Sequence, residues 1–360
     1  MEAADYDLIV AGAGPAGSAC AITAARAGAR VLLLENDRFP RHKVCGEFVS
    51  PESLGLLERL LGEKQFETRP EINSSRVFVD KKTVSLPVTP AARSIPRFDL
   101  DIQLFHAAQS ASVSTKEEIT IREVQRQNEV FRVMTAGGTF TAKAVVNASG
   151  RWSQLTQYEV NTKERWIGLK AHFSEAAPPQ SVDLYFFPGG YCGVQPVSAN
   201  AVNAAAMVRA DAAHSLEEVF ALNPELWRRS RDWQPLFPTI TTSPLYFRKP
   251  ETESQGMMLA GDAAGFIDPF AGDGISLALH SGTLAAESLL PFFQATCSLS
   301  QAHQQYRDSY QKRFTPAFRN AARLRLALSA PVWLRSGLIG LAGLRSVAGF
   351  VVRGTRARTS

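Results

Sequence analysis

The chain has only four cysteines in 360 residues, Cys20, Cys45, Cys192 and Cys297, and no two of them stand in a CxxC spacing. A disulfide framework or a thiolate zinc site needs paired or clustered cysteines, so neither is expected and a reducing cytoplasm is the default. The six histidines form no HxH or HxxxH pair, which removes the commonest imidazole metal spacings. No metal is expected. A membrane span is also missing where one first suggests itself. Leu8 to Ala25 carries no charge, but Gly12, Gly14, Pro15 and Gly17 interrupt it, and neither a basic leader nor a cleavage-like end accompanies it. That stretch reads as strand, turn and helix, not as a span or a signal peptide.

Acidic residues are absent from Arg319 to Ser360, where eight arginines stand. The net charge of +5 is therefore concentrated in a tail and the preceding part is slightly acidic, so the overall basicity does not argue for nucleic-acid binding. No internal repeat, low-complexity tract or linker is visible. A hydrophobic content of 45% over this length is enough for a large core and two subdomains.

Asp7-Leu8-Ile9-Val10-Ala11 is a buried-strand run that leads directly into Gly12-Ala13-Gly14-Pro15-Ala16-Gly17 and an Ala-rich helix to about Ala27. In a strand–turn–helix context these glycines form a dinucleotide cradle. Gly12 makes the turn, Gly14 lets backbone approach a pyrophosphate, and Gly17 allows close helix–strand packing, while the helix N-terminus offers free N–H groups. A second strand, Ala29 to Leu34, ends in Glu35 followed by Asn36. Glu35 is placed to accept the hydroxyls of an adenosine ribose.

Far along the chain, Met257-Met258-Leu259-Ala260-Gly261-Asp262 is a short apolar strand ending in Gly-Asp, and Pro269-Phe270-Ala271-Gly272-Asp273-Gly274-Ile275 opens a helix. Here the sequence resembles the flavoprotein superfamily of p-hydroxybenzoate hydroxylase, geranylgeranyl reductases and flavin-dependent halogenases. The resemblance implies FAD, with Asp262 on the ribityl chain and Gly272, Gly274 and Ile275 letting a helix start abut the pyrimidine edge of the flavin. Arg97-Phe98-Asp99-Leu100-Asp101-Ile102-Gln103-Leu104 matches the family pattern Arg-x-x-Leu-Asp-x-x-Leu, in which the arginine helps hold FAD. One motif departs. Ala144 to Ser153 has Ser149 where the family usually has Asp before Gly150, which puts efficient direct reduction by NAD(P)H, the candidate electron donor, in doubt.

Lys43-Val44-Cys45-Gly46-Glu47-Phe48-Val49-Ser50-Pro51 resembles the Lys-x-Cys-Gly-x-x-x-Ser-Pro loop of geranylgeranyl reductases. It makes Cys45 a candidate catalytic or gating residue, near the cations of Arg41 and Lys43, and adds Arg41, Cys45 and Gly46 to the cofactor-binding candidates. Tyr191-Cys192-Gly193-Val194-Gln195-Pro196 stands where those reductases have an aromatic motif. Tyr191 is a second catalytic candidate, and Gly193 replaces a bulky ring and widens the cavity. The halogenase signature Trp-x-Trp-x-Ile-Pro is missing, the five tryptophans being isolated. No residue stands out as a general acid.

The resulting expectation is an α/β, p-hydroxybenzoate-hydroxylase-type fold. A discontinuous FAD domain (1–66, 91–153 and 249–300) carries a β-rich substrate domain (67–90 and 154–248) and a helical, basic C-terminus (301–360). The implied function is FAD-dependent oxidation or reduction of carbon–carbon bonds in a hydrophobic, isoprenoid-, lipid- or polyketide-like substrate, closest to the geranylgeranyl reductase-like branch. The rivals are a flavin monooxygenase acting on an aromatic or polyketide, and an electron-transfer flavoprotein serving a membrane carrier. From Pro331 to Arg353 the chain is apolar but broken by Arg335 and Arg345, which suits an interfacial helix on an anionic membrane surface and a location peripheral to the inner face. An ordinary helix pair packed on the FAD domain is the alternative.

Overall fold

The computed structural model describes residues 4–62, 64–79, 82–151, 155 and 165–328. The expected interfacial helix lies outside the described residues. In chain order the strands are β1 (Tyr6–Ala11), β2 (Val31–Leu34), β3 (Phe48–Val49), β4 (Glu71–Val79), β5 (Lys82–Ser94), β6 (Ser114–Lys116), β7 (Ile121–Gln127) and β8 (Val130–Thr135). They continue with β9 (Gly138–Asn147), β10 (Trp166–Ser174), β11 (Ser181–Phe187), β12 (Gly190–Ser198), β13 (Ala201–Arg209), β14 (Ile240–Leu245), β15 (Glu253–Ser254) and β16 (Met257–Leu259). The helices are α1 (Pro15–Arg26), α2 (Pro51–Leu61), α3 (Arg97–Ser110), α4 (Leu216–Ala221), α5 (Pro224–Arg229), α6 (Gly274–Phe293), α7 (Leu299–Arg313) and α8 (Thr315–Leu328).

Two eight-stranded sheets organise these elements. The first runs β15-β16-β9-β1-β2-β6, with the β7–β8 hairpin on β9. Its central pairs, β16–β9, β9–β1, β1–β2 and β2–β6, are parallel. A parallel sheet is covered on both faces, which is why Leu8, Ile9, Val10, Leu32 and Leu33 form unbroken apolar runs with no exposed surface. Helices α1 and α6 cross backbone to backbone on this sheet. A Cβ at Gly282 would stand 2.0 Å from the Ala16 carbonyl oxygen, so only glycine allows that approach. Helix α7 starts with a Ser298–Gln301 capping box and is pinned to the sheet by Tyr306, whose hydroxyl donates to the Leu259 carbonyl at 2.6 Å.

The second sheet runs β14-β10-β13-β12-β11-β4-β5-β3. Period-two alternation gives it two different faces. On β11, Asp183, Tyr185 and Phe187 are buried. Tyr185 and Phe187 point into a core built with Phe220 and Leu226 of α4 and α5 and with Phe173 and Trp233. Val182, Leu184 and Phe186, the alternate set, border a cavity shared with the first sheet. Among the described residues no helix is long and apolar enough to cross a membrane.

Candidate functional site

The carboxyl ends of β1, β2, β9 and β16 open on one crevice, the place where open α/β sheets take ligands. Its floor is the turn after β1. Gly12 has φ +95°, and a Cβ there would meet the Ala148 carbonyl oxygen at 2.6 Å, while a Cβ on Gly17 would lie 1.7 Å from the Gly12 oxygen. The first turn of α1 has Pro15 at its start, no side-chain cap and no acidic residue. Its N–H groups and positive dipole end are thereby left to an anion.

Glu35, at the end of β2, is nearly fully buried. Its carboxylate accepts from the Ala13 N–H (2.8 Å), the Asp37 N–H (3.0 Å) and the Arg41 guanidinium (3.1 Å). Two carboxylate oxygens offer about four lone pairs, so this fixed group keeps acceptor capacity toward the cavity that it borders with Asn36. Beside the glycine turn, Arg97 grips Asp101 through two hydrogen bonds of 2.6 and 2.7 Å, and Arg41 adds a third of 2.7 Å. Asp101 has no exposed surface. Its charge and hydrogen bonds hold the Arg97 guanidinium well above its already high pKa against the opposing effect of burial. The Arg97 guanidinium thereby stands beside Gly14, where a Cβ would lie 3.7 Å from Arg97 Nη2.

The far wall is the segment after β16. Gly261 and Gly272 adopt left-handed φ of +61° and +71°, and α6 begins at Gly274. The Asp262 carboxylate faces Arg151 at 3.6 Å, and its carbonyl accepts from Arg248 at 3.1 Å. Arg151 lies over Phe266 (4.4 Å), Phe266 stacks on Phe247 (5.7 Å), and Arg325 covers Phe247 (3.8 Å). Arg325 also stands 3.8 Å from Asp268. Burial pushes the Asp268 carboxyl up to about 7, with Arg325 relieving part of the penalty. This layered stack ties α8 and the Gly150 turn to the segment that Asp262 and Asp268 bracket.

The cavity between these walls measures about 1000 Å³, at the top of the usual range for ligand sites. Every candidate named from the sequence borders it except Gly17, whose role is packing: Gly12, Gly14, Pro15, Ala16, Glu35, Asn36, Arg41, Cys45, Gly46, Arg97, Tyr191, Gly261, Asp262, Pro269, Gly272, Gly274 and Ile275. At Gly46 and Gly274 a Cβ would meet nothing within 4 Å. The space their missing side chains leave belongs to the cavity, a cradle of the kind a flat cofactor needs, and the residues present fit FAD. From there the cavity continues to an apolar wall on the second sheet that includes Val77, Leu86, Leu184, Phe186 and Leu245, faced by Phe270 of the turn before α6.

Two readings from the sequence change. The cations expected at Cys45 are engaged elsewhere, Lys43 with Asp37 and Arg41 with Glu35, Asp37 and Asp101. The guanidinium adjoining the Cys45 sulfur is that of Arg97. And where no general acid stood out in the sequence, the fold brings together a buried cluster of titratable groups. Glu47, without exposed surface, binds Lys170 through one carboxylate oxygen and His172 Nε2 through the other at 2.8 Å. Burial alone would raise Glu47, but these two partners hold it below the usual carboxylate range. The available signal was Lys170-x-His172 in an otherwise apolar strand, two polar residues on one face that a buried sheet must pair. Tyr191 is buried edge-on to Phe270 at 6.0 Å, and burial, aided by Asp268, pushes its phenol well up.

Comparison with known proteins agrees with this geometry. A family model described as FAD dependent oxidoreductase matches residues 7–40. Menaquinone reductase of Mycolicibacterium smegmatis is 27% identical over 91% of this chain and 86% of its own length. Digeranylgeranylglycerophospholipid reductase 2 of Methanopyrus kandleri is 25% identical over 89% of this chain and 85% of its own. The structure of the myxobacterial chondrochloren halogenase, 21% identical, superposes with a TM-score of 0.80 over 96% of this chain and 90% of that one, which establishes the fold. Residues 7–40 thus match FAD-dependent oxidoreductases, and over about nine-tenths of its length the chain is similar in sequence to two reductases and in fold to a flavin-dependent halogenase.

Proposed function

We propose that this protein reduces or dehydrogenates carbon–carbon bonds of a long, apolar substrate, isoprenoid or lipid-like, at FAD. One observation carries the reading: the cavity runs unbroken from the dinucleotide turn to an apolar wall on the second sheet. In this reading Glu35 and Asn36 hold the adenosine end. The start of α1, with Arg41 and Arg97, takes the diphosphate, and Asp262 with Gly272, Gly274 and Ile275 takes the flavin end. When bound, FAD supplies hydride exchange with the substrate. The protein's own part is to orient the two molecules, exclude water and set the electrostatics of the site. Cys45 and Tyr191 border the space where substrate would meet the flavin and are the candidates to touch it. Two relatives are named for reducing menaquinone and digeranylgeranylglycerophospholipid, which agrees with an apolar wall.

The test is anaerobic reduction of the FAD-loaded protein, followed by mixing with an isoprenoid lipid or with oxygenated buffer. Reoxidation by the lipid, with one pair of hydrogens added per double bond by mass spectrometry, supports the proposal. A transient absorbing species on mixing with oxygen and an oxygenated product would replace it with a monooxygenase. With Ser149 at the Gly150 turn, NADPH is expected to be a slow reductant, so dithionite or light supplies the electrons.

A further inference from the structure

The buried Glu47–Lys170–His172 cluster has no role in the reading above, and its placement is unusual. Glu47 sits in left-handed backbone at φ +61°, a conformation that a non-glycine residue keeps only when its surroundings hold it there. A buried ion pair is also a poor way to gain stability, since apolar residues of similar size do as well. Strain and buried charge thus coincide in one residue of the cavity wall.

The contacts of that residue reach two separate elements, and those of Cys45 a third. Its carboxylate joins Lys170 and His172 of β10 and accepts from the Arg97 N–H at 3.0 Å, where α3 begins. The Glu47 carbonyl accepts from the Ile95 N–H at 2.9 Å, and its own N–H donates to the Cys45 sulfur at 3.3 Å. Asn203 of β13 donates to the Cys45 carbonyl at 3.0 Å. His42 continues the cluster outward. It meets His172 edge-on at 5.9 Å and stacks on Phe237 at 4.0 Å. Burial, then the charges of Lys170 and His172, lower its pKa against Glu47 and Asp99.

We propose that Glu47 is a positioning residue, which clamps the Cys45–Gly46 wall of the cavity to the second sheet through Lys170 and His172. The clamp ties the loop that runs from β2 of the first sheet to β3 of the second onto β10 and the start of α3, where cofactor and substrate would meet. It deepens the functional reading, because it assigns what holds Cys45 in place.

The thiol itself is the reporter. Cys20 and Cys192 have no exposed surface, and burial pushes both up to about 12, so in a C297S background Cys45 is the reactive thiol of the folded chain. Labelling by N-ethylmaleimide is followed by mass on the full-length protein, with and without added FAD. Glu47→Gln is expected to speed Cys45 labelling about tenfold through local opening, while Cys20 and Cys192 stay silent. The double variant E47Q/K170M removes both buried charges, and in it the same acceleration is expected. Unchanged Cys45 labelling in a folded variant overturns the proposal. Labelling of all cysteines in both variants overturns it too, by showing that the cluster merely supports the fold. FAD that fails to protect Cys45 in the parent counts against the cofactor placement alone, since the comparison of variants without FAD still stands.

Discussion

Asp101 is the most exposed point of the reasoning in energetic terms, because it is the one counter-charge that two arginines of the site share. Its side chain is 0% exposed, those of Arg97 and Arg41 are 15% and 12% exposed, and three charge-assisted hydrogen bonds of 2.6 to 2.7 Å converge on it. Asp101→Asn keeps the shape and one acceptor, but it removes the charge and turns an amide N–H₂ toward a guanidinium. Removing one partner of a buried pair costs about 3–5 kcal/mol. Arg41 retains Glu35 and Asp37 at 3.1 Å each, so the lower end applies, about 3 kcal/mol. At about 2 °C per kcal/mol or less, since the unfolding entropy grows with chain length, the melting temperature should fall by up to about 6 °C. Differential scanning fluorimetry and urea unfolding of the flavin-free protein measure it. Added FAD should return part of the loss, since its diphosphate would supply the missing negative charge. A change below about 1 kcal/mol would refute the view that this pair is desolvated, and a deficit that FAD leaves untouched would refute the diphosphate position.

Two further outcomes follow from neighbouring residues. Asp268 binds its proton up to a pH of about 7 in the native state, but only to about 4 when unfolded. Its stabilising contribution is therefore full below about pH 4 and is lost as pH rises through about 7. Relative to Asp268→Asn, the wild-type protein should lose up to about 4 kcal/mol between about pH 4 and about pH 8, and parallel urea-unfolding stabilities across that range would rule the shift out. The glycine turn separates folding from binding. Gly17→Ala collides with the Gly12 carbonyl and should prevent folding, whereas a Cβ at Gly14 meets only Arg97 Nη2 at 3.7 Å. Gly14→Val should leave the circular dichroism melt nearly unchanged and weaken FAD binding at least about tenfold; normal retention of flavin by that variant would remove Gly14 from the site.

What the sequence makes legible is what local rules control. The turn from Gly12 to Gly17 announces itself because close backbone approach admits one residue type, and α1 ends at Arg26, within a residue of the expected helix. The strand Met257–Leu259 and the helix from Gly274 are readable for the same reason, as apolar runs stopped by Gly-Asp and Gly-x-Gly. The middle strands are legible as alternation, but not which face they turn to the site. That depends on α4 and α5 covering Tyr185 and Phe187 and so leaving Leu184 and Phe186 for the cavity. The charge partners were the least accessible. Glu47 and Lys170 are 123 residues apart, and Arg41 and Asp101 are 60 apart, so no periodicity links them, and the sequence offers Cys45 nearer cations than the one it meets.

These long-range pairs share a logic that the chain order hides. Each joins a loop from the first 50 residues to an element that arrives later: Arg41 to Asp101 on α3, Glu47 to Lys170 and His172 on β10, and the Cys45 carbonyl to Asn203 on β13. Apolar contact alone tolerates sliding, whereas a desolvated charge with one partner does not, because the unpaired alternative is several kcal/mol worse. Placing such pairs where two sheets meet fixes the distance between the dinucleotide turn and the apolar wall. On the proposed function, a cavity that holds cofactor and substrate in register needs its width set in this way, while its lining, Leu184, Phe186 and Gly193 among others, remains free to vary with the substrate.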